Sequence, residues 1–161
     1  MQKRRNSKGS QLAEFPAAII LLILGFLLPM IIMASIFYKV YMFNCVIKNG
    51  AQIGSTMQDF TTATNAAKAY LASQKPAGVS FNVPTVSLVQ RTVNYTSSSG
   101  AQTYPAYFIQ VTGSGSVPPL VQMHDFFGLS VPGLTGPITL QSTQAVYFEN
   151  QTAAASAYGG S

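Results

Sequence analysis

From Phe15 to Tyr38 the chain reads FPAAIILLILGFLLPMIIMASIFY, an apolar run without one charged side chain. As a helix its 24 residues rise roughly 36 Å at about 1.5 Å each, slightly more than the ~30 Å hydrocarbon core of a bilayer. No other stretch approaches that length. A secretory signal carries an apolar region of only about 7–15 residues, and no small-x-small site directly follows this run, so the pattern favours a retained anchor. Pro29 cannot donate to the carbonyl four residues back and is expected to weaken or kink the helix. Lipid tolerates this where a neighbour satisfies the freed group. Tyr38, Lys39 and Tyr41 follow, where aromatic and snorkelling side chains mark an interface.

Past the anchor, Val46, Gly50, Ile53, Met57, Phe60, Thr64, Ala67 and Leu71 recur at spacings of four and three. They make one face of an amphipathic stem helix over 42–75, ended by Pro76 and Gly78. Gly50-x-x-x-Gly54 within it permits a close helix approach, either to its own domain or to another subunit. The period then falls to two. Thr85–Tyr95 and Tyr104–Thr112 read as strands joined by a turn at Thr96–Gln102, with Tyr107, Ile109 and Val111 on a half-buried face. Ile138–Glu149 is a third strand, on which Ile138, Leu140, Val146 and Phe148 share a face.

The expected fold class is therefore α+β: a long N-terminal transmembrane helix continues into a stem helix, packed against a small antiparallel β-sheet of about three strands. Along the chain this divides into a basic leader (1–9), the transmembrane helix (10–41), the stem (42–75), a small β domain (76–152) and a flexible tail (153–161). The part from about Asn44 onward is expected to stand as a soluble fragment. Gly113–Pro137 reads as a loop rich in Pro and Gly, yet it carries Leu120, Val121, Met123, Phe126, Phe127, Leu129 and Leu134. So apolar a loop either tucks under the sheet or meets a membrane or partner. In an extended segment the adjacent rings of Phe126 and Phe127 point to opposite sides, one to the core and one to a neighbour, which makes this the candidate partner loop.

Charge sharpens this picture. Only 8% of the residues are charged, and the net +5 is concentrated at one end. Lys3, Arg4, Arg5 and Lys8 hold four of the nine cations; the remainder of the chain is close to neutral. No basic face is left to track a phosphate backbone, so nucleic acid is not an expected partner. The cluster instead sets topology, with the N-terminus cytoplasmic and the C-terminal part exported. One cysteine, Cys45, allows no intrachain disulfide. The sequons at Asn94 and Asn150 are short enough to arise by chance.

The means for catalysis are sparse. One histidine (His124), one cysteine and four acids (Glu14, Asp59, Asp125, Glu149) do not assemble an imidazole or thiolate metal site. His124-Asp125 reads as a solvated loop pair, and no glycine-rich phosphate loop is present. The chain is expected to be non-enzymatic, with no cofactor and no small-molecule substrate.

The most informative residues are Lys8-Gly9-Ser10-Gln11-Leu12-Ala13-Glu14-Phe15. A carboxylate at the threshold of a long apolar helix is costly unless paired, and a glycine behind a basic leader stands five residues before it. This arrangement resembles the type IV prepilin signal, and Gly9-Ser10-x-x-x-Glu14-Phe15 is similar to the TadE-like pseudopilins of tight-adherence (Flp) pili. The resemblance continues into a long helix, Asn44–Ala72, with its Gly/Ala-rich patch Gly50–Gly54. It is echoed where an apolar Pro/Gly/Leu loop leads into the last strand. The N-terminal match covers about 60 residues. Pro16 directly after Phe15 departs from the pattern but suits a first helical turn.

The resemblance implies cleavage between Gly9 and Ser10 by a prepilin peptidase, with methylation among the processing steps. It also implies assembly through Glu14 and Phe15 with other pilin or pseudopilin subunits, in or from the inner membrane. The cut would leave Ser10 first and Glu14 fifth, and Glu14 could neutralise the new α-ammonium of a neighbouring subunit in low dielectric. The other class of function is an unprocessed single-pass accessory subunit of an unrelated membrane complex. Cleavage of the leader separates the two.

Overall fold

The computed structural model describes residues 8–97, 100–119, 133 and 135–159. Its first third is a helical rod: α1 (Lys8–Leu22), a π-helical turn (Ile23–Leu27) and α2 (Leu28–Ser55). The π turn is the chain's answer to Pro29. With no N–H at Pro29 to reach the carbonyl of Gly25, the ladder shifts by one residue, and the Leu28 N–H donates to the Ile23 carbonyl five residues back. Pro16 lies inside α1 and not in its first turn, because the helix already runs from Lys8. The carbonyl it leaves without a donor belongs to Leu12, which precedes the apolar run, where water can satisfy it.

The stem is not one helix. α2 ends at Ser55, and α3 (Phe60–Ser73) starts after a break. Two hydroxyls turn back on the last carbonyls of α2, Ser55 to Gln52 at 2.8 Å and Thr56 to Ile53 at 3.0 Å. Asp59 then adopts an extended backbone (φ −138°, ψ 162°) and caps α3, accepting from the Thr62 N–H at 2.8 Å and the Thr62 hydroxyl at 2.7 Å. α3 runs back along α2, so the expected continuous stripe is divided between two facing helices.

Gly50 and Gly54 serve this hairpin. A Cβ on Gly50 would lie 3.0 Å from the Leu71 side chain, and one on Gly54 would lie 2.6 Å from Ile109 Cδ1 and 3.2 Å from the Ala63 carbonyl oxygen. The small-residue motif is thus used within the molecule, against its own domain.

The Thr62 N–H, and secondarily its hydroxyl, holds the Asp59 carboxyl below the usual carboxylate range. Because the folded value is depressed, the cap's contribution is complete above the unfolded value near pH 3.9 and is lost as pH falls through the folded one. Asp59→Ala should therefore lower the melting temperature at neutral pH, and its difference from wild type should fade once pH has fallen through the folded value. A difference that persisted there would assign the effect to something other than the ionised cap.

The sheet has four antiparallel strands rather than three: β1 (Ser80–Phe81), β2 (Thr85–Ser97), β3 (Gly100–Val117) and β4 (Ile138–Tyr147). β3 is central, pairing β2 and β1 on one side and β4 on the other. It is longer than expected at both ends. Ser97 pairs with Gly100, which sits at φ 115°, so the ladder runs into the residues expected to turn. At the other end, Gly113-Ser114-Gly115-Ser116-Val117, expected as loop, continues the strand with Gly113, Gly115 and Val117 facing inward.

That inward face packs on the helical hairpin. Phe43, Ile47, Leu71, Val111 and Val117 are fully buried between the two layers, with Ile32, Ile36 and Leu140 at one end. Val111 and Ile109 lie on the expected inward face, as do Leu140 and Phe148.

The tail also differs from expectation. Gln151–Gly159 form α4. Asn150 accepts from the Ala153 N–H at 3.2 Å, and the helix seats Ala154 in a second core cluster with Ala63, Ile109 and Phe148. Gln151 fixes it in place. Its amide accepts from the Tyr107 N–H at 2.8 Å and donates to the Tyr107 carbonyl at 3.0 Å, continuing the edge ladder where β4 ends.

Candidate functional site: the apolar helix and its junction with the head

The residues expected to carry processing and assembly fall on α1. Gly9 and Ser10 both have helical backbone, so the bond between them is in the first turns of the described helix. Glu14 and Phe15 follow on the same helix and are exposed, Phe15 at 69%. Phe126 and Phe127 lie outside the described residues.

From Glu14 to Leu27 every residue is exposed, whatever its direction around the helix. An exposed apolar cylinder is not a surface that water tolerates, and its contents make the point: Ile20, Leu21, Leu22, Leu24 and Phe26 all stand free. Among the described residues one helix, Glu14–Ser55, is long and apolar enough to cross a membrane, with mean hydropathy 2.9 in its most apolar stretch.

Above Leu27 the helix becomes two-sided. Ile32 and Ile36 are 1% and 3% exposed, while Met30, Ile31, Phe37, Tyr38 and Tyr41 stay open. The buried side meets the lower end of the head. A Cβ on Gly133, which sits at φ 87°, would lie 2.8 Å from the Cδ1 atoms of both Ile36 and Ile138. Head and apolar helix thus share a core, with no linker between them. The composition of the run conceals this, since buried and exposed faces are equally apolar; the only trace is that Ile32, Ile36, Phe43, Ile47, Gly50 and Gly54 fall at helical spacing.

Candidate chemistry remains thin. Among the described residues no three of His, Cys, Asp and Glu come together. Cys45 is a free, partly buried thiol beside α3. What the arrangement offers is an apolar helix held rigidly by a small head. Comparisons with protein families, characterised proteins and solved structures find no match for this chain.

Proposed function

We propose that this chain is a TadE-like, prepilin-type subunit, anchored by its N-terminal helix and contributing its head to a pilus or related secretion filament. The observation that carries this reading is the placement of Gly9-Ser10-x-x-x-Glu14-Phe15 immediately before a helix that leaves the head exposed on all sides. In this reading the basic residues of the leader stay in the cytoplasm and the head is exported. A prepilin peptidase hydrolyses the Gly9–Ser10 peptide bond, leaving Gly9 with a carboxylate and Ser10 with a new α-amino group. Protonated, that group is a cation at the edge of the hydrocarbon, where Glu14 of a neighbouring subunit compensates it. The free apolar cylinder from Phe15 to Leu27 supplies the helix–helix contacts of assembly.

The mature N-terminus tests the proposal. Protein purified from its own host, with an active prepilin peptidase, should have an intact mass lacking residues 1–9. Recovery of mainly Met1-containing protein would reject the prepilin assignment and the role given to Glu14, which needs the new ammonium. The chain would then be better read as an unprocessed single-pass accessory subunit.

A further inference from the structure

Five cations lie beyond the leader: Lys39, Lys48, Lys68, Lys75 and Arg91. Two of them, Lys39 and Lys75, line one open cleft of about 410 Å³ between α2 and the C-terminal end of α3, together with Tyr38, Asn49 and Tyr70. They come to share it because α3 folds back along α2 and returns the chain to the level at which the apolar run ends. Gly78, just past the cleft, leaves room for the Lys39 ammonium: it sits at φ 69°, and a Cβ there would lie 3.2 Å from Lys39 Nζ.

Charge is segregated along the hairpin. Asp59 caps the opposite end of α3, and the Glu149 N–H donates to the Ser55 carbonyl at that same far end. Neither acid lines the cleft. Height matters as well. Measured from Glu14, about 30 Å of helix ends near Ala34, and Lys39 stands about 7 Å beyond it. A headgroup layer adds about 5–7 Å to each side of the hydrocarbon core, so the Lys39 backbone stands near its outer edge, from which a lysine side chain can snorkel back to headgroup level. Exposed Tyr38 and Tyr41 lie where interfacial aromatics gather.

We propose that this cleft seats the phosphate headgroup of an anionic lipid, with Lys39 and Lys75 as its cationic ligands, in the leaflet on the head's side of the membrane. The inference rests on reading the apolar helix as a membrane span and is independent of cleavage at Gly9. The competing role for the lysines is purely structural, covering the last carbonyls of α3.

Full-length protein reconstituted in phosphatidylcholine vesicles, with and without phosphatidylglycerol, separates these possibilities. Native mass spectrometry after extraction should show phosphatidylglycerol retained in preference to phosphatidylcholine. Lys39→Gln and Lys75→Gln should each weaken that retention about fivefold. Lys48→Gln, an exposed position about 13 Å further along α2, should not change it. Wild-type protein that inserts without preferring phosphatidylglycerol would overturn the lipid site and leave the span intact. Protein that alkaline carbonate strips from both vesicles would overturn the span and the site together. Variants that melt lower yet keep the preference would give the lysines to α3 alone and overturn the proposal. Displacement of the lipid by equimolar inorganic phosphate would make the site one for free phosphate, and would also overturn it.

Discussion

A fragment of the head that begins at Asn44 is expected to show no cooperative thermal melt, whereas one that begins at Leu28 melts as a folded domain. The difference lies in three side chains. Ile32, Ile36 and Phe43 are 1%, 3% and 1% exposed, and all three precede Asn44. Fully burying such side chains stabilises by about 1.5–3 kcal/mol each, so together they contribute about 4.5–9 kcal/mol. A whole domain has only about 5–15 kcal/mol in hand. Phe43 also holds the two layers in register: its ring packs 5.4 Å from that of Phe81, and it lies 3.6 Å from the positions a Cβ would take on Gly113 and Gly115. Both fragments, melted in the same mild detergent and followed by circular dichroism, check this. A cooperative Asn44 fragment with the melting temperature of the longer one would show that the helix is dispensable to the core. The buried Ile32, Ile36 and Phe43 thus extend the head's core into the apolar run, ahead of the fragment start at about Asn44 expected from sequence.

This shared core bears on how the molecule would work in an assembly. A head joined to its helix by a linker could swivel, and subunits could pack their helices without fixing their heads. Here Ile36 meets Gly133 and Ile138, and α3 doubles back along α2. An axial rotation of the helix then carries the head with it. Helix packing and head position are one variable.

The reasons why some of this was legible and some was not are local. The apolar run announces itself because no charge interrupts it for 24 residues. The same uniformity conceals which face the head covers, since Ile31 and Ile32 are chemically identical but one is exposed and the other buried. Tyr107, Ile109 and Val111 recur with a period of two, so the middle of β3 could be read from the sequence. The break after Ser55 was overridden by periodicity, because Ile53, Met57, Phe60 and Thr64 keep helical spacing straight across it. The signal lay in Asp59 and Thr62, a side-chain cap that outweighs a stripe. The C-terminal residues read as a flexible tail, yet Asn150 ahead of Gln-Thr-Ala-Ala-Ala is a cap ahead of an alanine-rich helix. For the site, Gly9, Ser10, Glu14 and Phe15 are matters of spacing and stand in the sequence itself. The cleft between Lys39 and Lys75 is not, because it depends on α3 folding back.

Gly113→Ala should be among the most damaging single-atom additions to this chain, and Ile47→Val should partly reverse it. Thr-Gly-Ser-Gly-Ser reads as a flexible connector, but in β3 the two glycines face α2 and form a shallow track in the sheet. The helix lies in that track. A Cβ at Gly113 would come 2.3 Å from Ile47 Cδ1 and 3.6 Å from the Phe43 ring, with Ile47 itself 0% exposed. Ile47 has no solvent into which it can swing, so the added methyl must shift α2 or force an unfavourable rotamer. Such overpacking costs typically 1–3 kcal/mol. Valine at 47 deletes the very atom that collides. Alone, Ile47→Val should cost about 0.5–1.5 kcal/mol for the lost methyl. In the pair, the methyl at 113 fills the space that the deleted one leaves, so the double variant should be more stable than Gly113→Ala alone. Denaturant melts of the four proteins close a double-mutant cycle, in which a coupling of at least about 0.5 kcal/mol is expected. Strict additivity would mean that the glycine is needed for its backbone and not for the space it leaves to Ile47.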